Sequence, residues 1–586
     1  MTVVMRFYQF LGKYKRRLTV FLLVATISVI LETIRPYWLK MILDSAGTGK
    51  QNEAIRFLIF FGISTVGANW VSALSYYLGD RVIIPLSKDI RETIFQKVME
   101  LDFAYHVDKN TGSLISAFRR GDGAVFSVFQ SLFRELFRVL IALVVTLIFL
   151  FAVSAPMAWA LLILFFLNLG LIWWLIDSNL KYRRAFNKSD DEIAGIIADT
   201  MINYETVKFF AAESRERRRL ADQFKDWLSK FWDFSNSFRI MEVSVGTTSG
   251  LGMILILYMA ITQLGKTFSL GDLVMVAGFI TGFYYQFFNL FFQIRDVAKN
   301  VSDMERYFGI LDNEIKVKDP KRPAKIRESK GKIEFKGVGF VYPKTQEKIL
   351  DDINLTINPG QKVAFVGRSG AGKTTLVKLL LRFYDPSQGT IRVDGVDIRK
   401  MKKSTLREKL SVVPQEPIMF NNTIKYNLAY GKENATMEEI ETAADRANIL
   451  EFIAKLPLAW ETQVGERGIK LSGGQKQRLA IARCLLADPK ILIFDEATSN
   501  LDSESERKIQ GALEEVSKER TVIIIAHRFS TIRGADKIVV LSNGTIVETG
   551  KHKQLIEKKG LYYMLWTLQA KGKLDKETPM EKKEFD

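Results

Sequence analysis

Apolar residues are unevenly spread along this chain. Six windows near or above the roughly 20 residues that cross a bilayer fall at about 18–42, 55–79, 133–154, 156–177, 241–264 and 271–294. The second half instead alternates short strand-like runs with helical periods, the pattern of a soluble mixed protein. An even number of spans puts both ends on one side. The connections at 45–52, 154–157 and 265–271 are short and hold two cations, Lys50 and Lys266, whereas 81–120 and 181–239 are long and rich in Lys and Arg. The positive-inside rule then places the long connections, both termini and the second half in the cytoplasm.

The long connections are helical by pattern, with apolar positions recurring at three- and four-residue spacing in 196–202 and 219–225. Each breaks near its middle, at 103–112 and 203–213, so each predicts a long helix, a short turn and a second long helix. Residues 312–331 are charged, contain proline and lack an apolar period, which reads as a linker.

Composition adds three constraints. The 586 residues suffice for more than one domain. A net charge of +18 invites a nucleic-acid reading, but no aromatic-basic recognition motif accompanies it and membrane topology accounts for it. The single cysteine, Cys484, excludes an intrachain disulfide and a cysteine-based metal site, and its apolar helical setting reads as a packed core thiol. Residues 1–17 form a short basic amphipathic stretch running straight into the first span, with no cleavable signal and no transit-peptide character, so a prokaryotic inner membrane is the expected address.

Polar residues interrupt the spans at Arg35, Arg134, Glu135, Arg138, Asn168, Glu242, Gln286, Asn289 and Gln293. Charges are costly in lipid and face a bundle interior or cavity. Arg134 and Arg138 share one helix face by their four-residue spacing, which suits an anionic ligand; snorkelling to headgroups is the competing reading. Gln286, Asn289 and Gln293 form a stripe on the sixth span, either lining a cavity or bonding between helices.

Chemistry concentrates in the second half. The stretch Gly367, Arg368, Ser369, Gly370, Ala371, Gly372, Lys373, Thr374, Thr375 follows a strand-like run and precedes a helical one, the context of a phosphate-binding loop. Its backbone N–H groups would cradle phosphate oxygens, with Lys373 on the terminal phosphates and Thr374 on Mg²⁺. An apolar strand ends in Asp495 and Glu496, placed to hold Mg²⁺ and to activate the attacking water. Tyr342, upstream of the loop, can stack on a base. A second glycine-rich helix start, Ser472, Gly473, Gly474, Gln475, offers a second anion site.

At this combination the chain resembles the ATP-binding cassette transporters over nearly its whole length. Tyr342 matches the base-stacking loop, Lys373 the Walker A lysine, Gln415 the Q-loop, Ser472 and Gly474 the signature, Asp495 and Glu496 Walker B, Asp502 the D-loop and His527 the switch histidine, while 464–468 matches the exporter X-loop. The D-loop departs from the family at Asn500, where alanine is usual. The segment 203–210 resembles the branch of mitochondrial and heavy-metal-tolerance exporters of thiol compounds, but the sixth span lacks that branch's proline-containing motif.

The resemblance implies a multi-domain architecture. An N-terminal all-α six-helix transmembrane domain (1–311) and the linker (312–331) precede a C-terminal α/β P-loop ATPase cassette with a helical subdomain (332–570) and a charged tail (571–586). It implies a half-transporter whose ATP and Mg²⁺ sites are completed by the signature of a second chain, most simply in a homodimer, with the two cytoplasmic tips acting as coupling helices. The expected activity is ATP-driven export of a lipid, drug, peptide or thiol conjugate, with Gln415 touching both metal and attacking water and His527 assisting Glu496. An ATP-gated channel or regulatory subunit is the alternative.

Overall fold

The computed structural model describes residues 3–108, 111–324, 329–343, 347–495, 503–525 and 532–570. It divides into two compact units, Met1–Glu100 with Lys109–Asn313, and Leu101–Asp108 with Glu314–Asp586.

The first unit is helical throughout. A short amphipathic helix α1 (Val3–Gly12) leads into α2 (Lys15–Thr33), α3 (Arg35–Gly47) and the long α4 (Gln51–Glu100). After α5 (Phe103–Asp108), which belongs to the second unit, come α6 (Thr111–Phe129), a π-helical segment at Gln130–Leu136, α7 (Phe137–Val153), α8 (Ala155–Ile202), α9 (Tyr204–Phe209), α10 (Glu213–Gln263) and α11 (Leu270–Gly309). Among the described residues, five helical runs are long and apolar enough to cross a membrane: Lys15–Gly47, Gln51–Glu100, Leu114–Val153, Ala155–Ile202 and Glu213–Gln263. The sixth predicted window lies within α11, some of whose side chains fall outside the described set. At about 1.5 Å per residue a 50-residue helix is about 75 Å long, more than twice a hydrocarbon core of about 30 Å. The spans therefore run on beyond the membrane as the periodicity predicts. Their core gathers Leu143, Phe165, Val245, Phe283 and Phe287, with the Phe165 and Phe287 rings 5.6 Å apart.

Two spans differ from the simple windows. The first is broken at Ile34, because Pro36 at the start of α3 has no N–H to return to the Glu32 carbonyl and the Tyr37 amide reaches only to Ile34 at 3.0 Å. The third begins with a π turn, closed by the Phe137 amide on the Leu132 carbonyl five residues back.

The second unit holds two sheets. β1 (Ile333–Val341), β2 (Lys348–Ile357), β4 (Gln388–Val393) and β5 (Val396–Asp397) form an antiparallel sheet in the order β2-β1-β4-β5. The other, with β3 (Lys362–Val366), β6 (Leu410–Val413), β7 (Ile491–Asp495), β8 (Thr521–Ile525), β9 (Lys537–Ser542) and β10 (Thr545–Gly550), runs β10-β9-β3-β8-β7-β6. Its parallel strands β3, β7 and β8 are nearly continuous apolar runs, buried on both faces as parallel strands require.

The described start of the predicted linker is bonded to the cassette. Arg382, 2% exposed, donates to the carbonyls of Lys318 (2.8 Å) and Met401 (2.9 Å) and to Asp385 (3.0 Å). Lys403 binds the Val317 carbonyl at 2.8 Å, and the Asp102 carboxylate accepts the Lys316 and Val317 amides. In the same unit Phe103 of α5 stacks on Phe383 with centroids 4.5 Å apart. The other tip, α9, lies in the first unit and is exposed, with Phe209 and Phe210 near 80%.

Candidate functional site

The phosphate loop sits where the parallel sheet delivers it. β3 ends at Val366, the loop follows, and the helix α12 (Lys373–Leu380) begins at Gly372. Gly372 holds φ +99°, and a Cβ there would lie 2.6 Å from Leu350 Cδ2. At Gly367 a Cβ would fall 2.3 Å from the Leu541 carbonyl oxygen. Larger residues at either point would push the loop off the sheet, so the glycines set how tightly it curls. Arg368, Ser369, Gly370 and Thr374 are exposed, while Ala371 and Thr375 are buried.

Lys373 is 6% exposed, and its ammonium donates to the Gly367 carbonyl at 2.7 Å and the Arg368 carbonyl at 2.9 Å. It is thus folded across the loop it belongs to. Tyr342 sits over the same element, with its hydroxyl 3.3 Å from Thr375 Oγ1 and its ring edge-on to Phe340 and Tyr384. Asp495 closes β7, and its register partner in β8 is Ile525, itself opposite Phe365 of β3. The carboxylate is therefore at the carboxyl edge of the sheet, two strands or about 10 Å across from the start of the loop. Thr374 hydroxyl and Asp495 carboxylate are oxygen donors of the kind Mg²⁺ takes alongside phosphates and water; when bound, the ion would neutralise charge on the transferred phosphoryl group. Gln415 is exposed just past β6. Glu496, Asp502 and His527 lie outside the described residues; by position Glu496 directly follows β7, and His527 comes two residues after β8.

The second glycine-rich helix start is a built N-terminus. Ser472 caps the helix Gly473–Ala487: its hydroxyl accepts the Gln475 amide at 3.3 Å, and Gln475 Oε1 accepts the Ser472 amide at 2.8 Å. This reciprocal box satisfies one first-turn donor and leaves those of Gly473 and Gly474 at the positive end of the helix dipole. Inside that helix, burial pushes the Cys484 thiol up to about 12, so it stays protonated and inert, the packed thiol that its setting predicts.

The membrane unit holds a cavity of about 400 Å³ between α2, α3, the π segment, α7 and α11. Arg138, Gln286 and Asn289 line it; the side chain of Gln293 lies outside the described residues. Arg138 is ion-paired with Glu32. Arg134 does not join this cavity: it donates to Asp80 at 2.7 Å and lies over the Tyr76 ring at 4.8 Å, both on α4. The anionic partner that their spacing called for is thus supplied by the protein in both cases. Sequence reasoning passed over Glu32, Thr33 and Thr146 in the same lining; Pro36 inside an apolar run was a signal for the adjoining Glu32 and Thr33, and none marked Thr146.

The chain matches the family described as ABC transporter at residues 350–499 and that described as ABC transporter transmembrane region at 18–287. It is 37% identical over 523 residues to the human ATP-binding cassette sub-family B member 6, covering 88% of this chain and 61% of that protein. It is 34% identical over 537 residues to an ATM1-type heavy metal exporter of Novosphingobium aromaticivorans, covering 88% of this chain and 85% of the relative. This chain thus spans under two thirds of the sub-family B member 6 proteins it matches. Among solved structures, a bacterial Atm1-family ABC exporter with ATP bound superposes with a TM-score of 0.85 at 32% identity, over 95% of this chain and 98% of that one.

Proposed function

Because the chain belongs to the ABC transporter family, as a B-type half-transporter of the Atm1 kind, we propose that it is an ATP-driven exporter working as a dimer. Six spans with both termini in the cytoplasm enclose the route. Two ATP molecules with Mg²⁺ sit between chains, each on the phosphate loop of one and the Ser472 helix start of the other. The observation that carries this reading is the presence, in one cassette, of two separate anion-binding helix starts, at Gly372 and at Ser472. One nucleotide spans such a pair when a second chain presents the other half.

The roles follow from position. Lys373 leaves its carbonyl partners for the terminal phosphates, and the Tyr342 ring takes the base. Glu496 orients and deprotonates the attacking water, with His527, Gln415 and Asp502 completing the site around it. Closure of the cassettes moves the tips at α5 and α9 and turns the cavity from the cytoplasmic to the outer side.

One relative is named a heavy metal exporter. A bare soft metal ion suits this membrane region poorly, because soft ions take thiolate or imidazole. The one cysteine is in the cassette, and His106, His527 and His552 all fall outside the six windows. The lining instead favours a polar organic substrate held at Arg138, Gln286, Asn289 and their neighbours, with Arg134 a brace on α4. The test is ATP-dependent uptake into inside-out vesicles. Wild type should accumulate substrate against its gradient, and Glu496→Gln should bind ATP yet carry nothing. Permeation that ATP opens but never drives uphill would overturn the exporter reading in favour of a gated channel.

A further inference from the structure

Where α2 begins and α4 leaves its apolar run, positive charge collects without compensation. The two helices are antiparallel and in register: Arg17 Nη1 donates to the Arg81 carbonyl at 3.4 Å, and Ser28 Oγ to the Ala68 carbonyl at 3.5 Å. Around the first of these bonds stand Lys15, Arg16, Arg17 and Arg81, all exposed and none with a carboxylate partner among the described residues. The carboxylates of this stretch of α4 are already taken. Asp80 holds Arg134 at 2.7 Å, Asp89 holds Lys13 at 3.0 Å and accepts the Tyr14 hydroxyl at 3.1 Å, and Glu92 faces Lys88 at 3.5 Å.

Such a cluster is costly as it stands. Like charges on adjoining helices repel, and three of the four occupy the first turn of α2, which has no acidic residue although the helix dipole is positive there. What the arginines do touch orients them without neutralising them. Arg17 reaches a backbone carbonyl, and the Arg81 guanidinium lies over the Tyr77 ring at 5.0 Å from its centroid, one turn further into the apolar run.

Their depth identifies the missing counter-charge. Arg17 immediately precedes the first apolar window and Arg81 closely follows the second, so both stand at the boundary where lipid headgroups lie, among Tyr14, Tyr76 and Tyr77. Inward from that boundary the same helices expose Val20, Leu23 and Ile27 on α2 and Trp70 and Leu74 on α4. The antiparallel register puts Leu23 and Leu74 at nearly one level. Cations at the boundary, with exposed apolar side chains running inward from them, fit a molecule that has an anionic head and hydrocarbon tails. A free phosphate would use the cations and ignore the apolar strip.

We propose that Arg17 and Arg81 bind the phosphate of an anionic glycerophospholipid from the cytoplasmic leaflet, with its acyl chains along α2 and α4. The planar guanidinium forks give the phosphate a fixed geometry, and Lys15 and Arg16 add attraction as point charges beside it. The inference goes beyond the export reading and rests on its topology only for which leaflet supplies the lipid.

The experiment is equilibrium binding of spin-labelled lipids to the full chain in phosphatidylcholine nanodiscs, with the immobilised fraction read for labelled phosphatidylglycerol and for labelled phosphatidylcholine. Wild type should favour phosphatidylglycerol by at least about tenfold, since each basic residue near the surface is worth about fivefold. Arg17→Gln and Arg81→Gln should each cut that preference about fivefold, whereas Lys88→Gln, on the same helix but paired with Glu92, should change it by less than about twofold. Equal responses to Lys88→Gln and Arg81→Gln would overturn the site in favour of a diffuse basic surface, and equal immobilisation of the two labels by wild type would reduce it to ordinary contact with surrounding lipid. If a glutamine variant fails to elute as a monodisperse protein, wild type decides alone. Labelled phosphatidylglycerol should stay bound in inorganic phosphate as it does in chloride of equal ionic strength, and displacement by phosphate would assign the cations to a free anion and overturn the lipid. A preference found only when the labelled lipid is confined to the leaflet away from the cassette would instead overturn the topology and leave the site standing.

Discussion

In the second unit the buried guanidinium of Arg382 is fully engaged, on two carbonyls and a carboxylate. In the membrane unit, Arg35 is held beside a void with its Nε unpaired. The contrast extends beyond one pair of residues. Among the described residues ten buried side-chain polar atoms lack a hydrogen bond, and eight of them belong to the membrane unit. The cassette uses its buried polar groups to hold its own loops, as Arg382 does on Lys318, Asp385 and Met401. The membrane unit leaves eight such atoms unmet among its described residues, four of them on side chains that line the cavity.

The sharpest way to break this contrast is at the phosphate loop. Lys373→Ala removes the one ammonium held within the cradle and should lower ATP hydrolysis by about 10²-fold or more, the usual loss for a donor aimed at developing charge, read as phosphate release. Stability comes next. Arg382→Met leaves two carbonyls and the part-exposed Asp385 without their donor and should cost about 1–3 kcal/mol, visible as an earlier thermal transition of the cassette. Arg35→Met, by contrast, abandons no hydrogen-bond or ionic partner among the described residues and should leave the membrane unit as stable or more so in the absence of ligand. Equal destabilisation by the two would erase the distinction drawn above. A smaller effect is expected at Arg138 and Glu32, whose side chains are about a third exposed. A double-mutant cycle with glutamine at each should return a coupling of about 1 kcal/mol or less. Smallest of all, Thr146→Val removes an orphaned hydroxyl and should raise ligand-free stability by less than about 1 kcal/mol.

These regions also differed in how much of them could be read beforehand. The phosphate loop and the Ser472 helix start are local: each is a run of consecutive residues whose spacing forces a backbone shape, so strand, turn and helix fell where expected. Glu496 was read from the apolar strand it follows, and Asp502 and His527 from the family resemblance alone; all three lie outside the described residues. The membrane cavity is non-local. Spacing on one helix paired Arg134 with Arg138, but their carboxylate partners, Asp80 and Glu32, stand on helices 54 and 106 positions away in the chain. The hydropathy window from 18 to 42 ran across Pro36 because an average over many residues does not register one missing N–H. Composition read 312–331 as a linker, and nothing in that stretch announces that Arg382 and Lys403 bond the Lys318 and Val317 carbonyls.

The claim on which the account turns is that neither cassette owns a whole ATP site. It is tested by mixing two inactive chains, Lys373→Ala, which keeps its helix start, and Ser472→Arg, which keeps its phosphate loop. Each alone should be silent. Random pairing gives half mixed dimers with one intact composite site of two, so co-assembly should restore about a quarter of wild-type hydrolysis. Mixed protein as silent as its components would place both halves of the site in one chain and contradict the account.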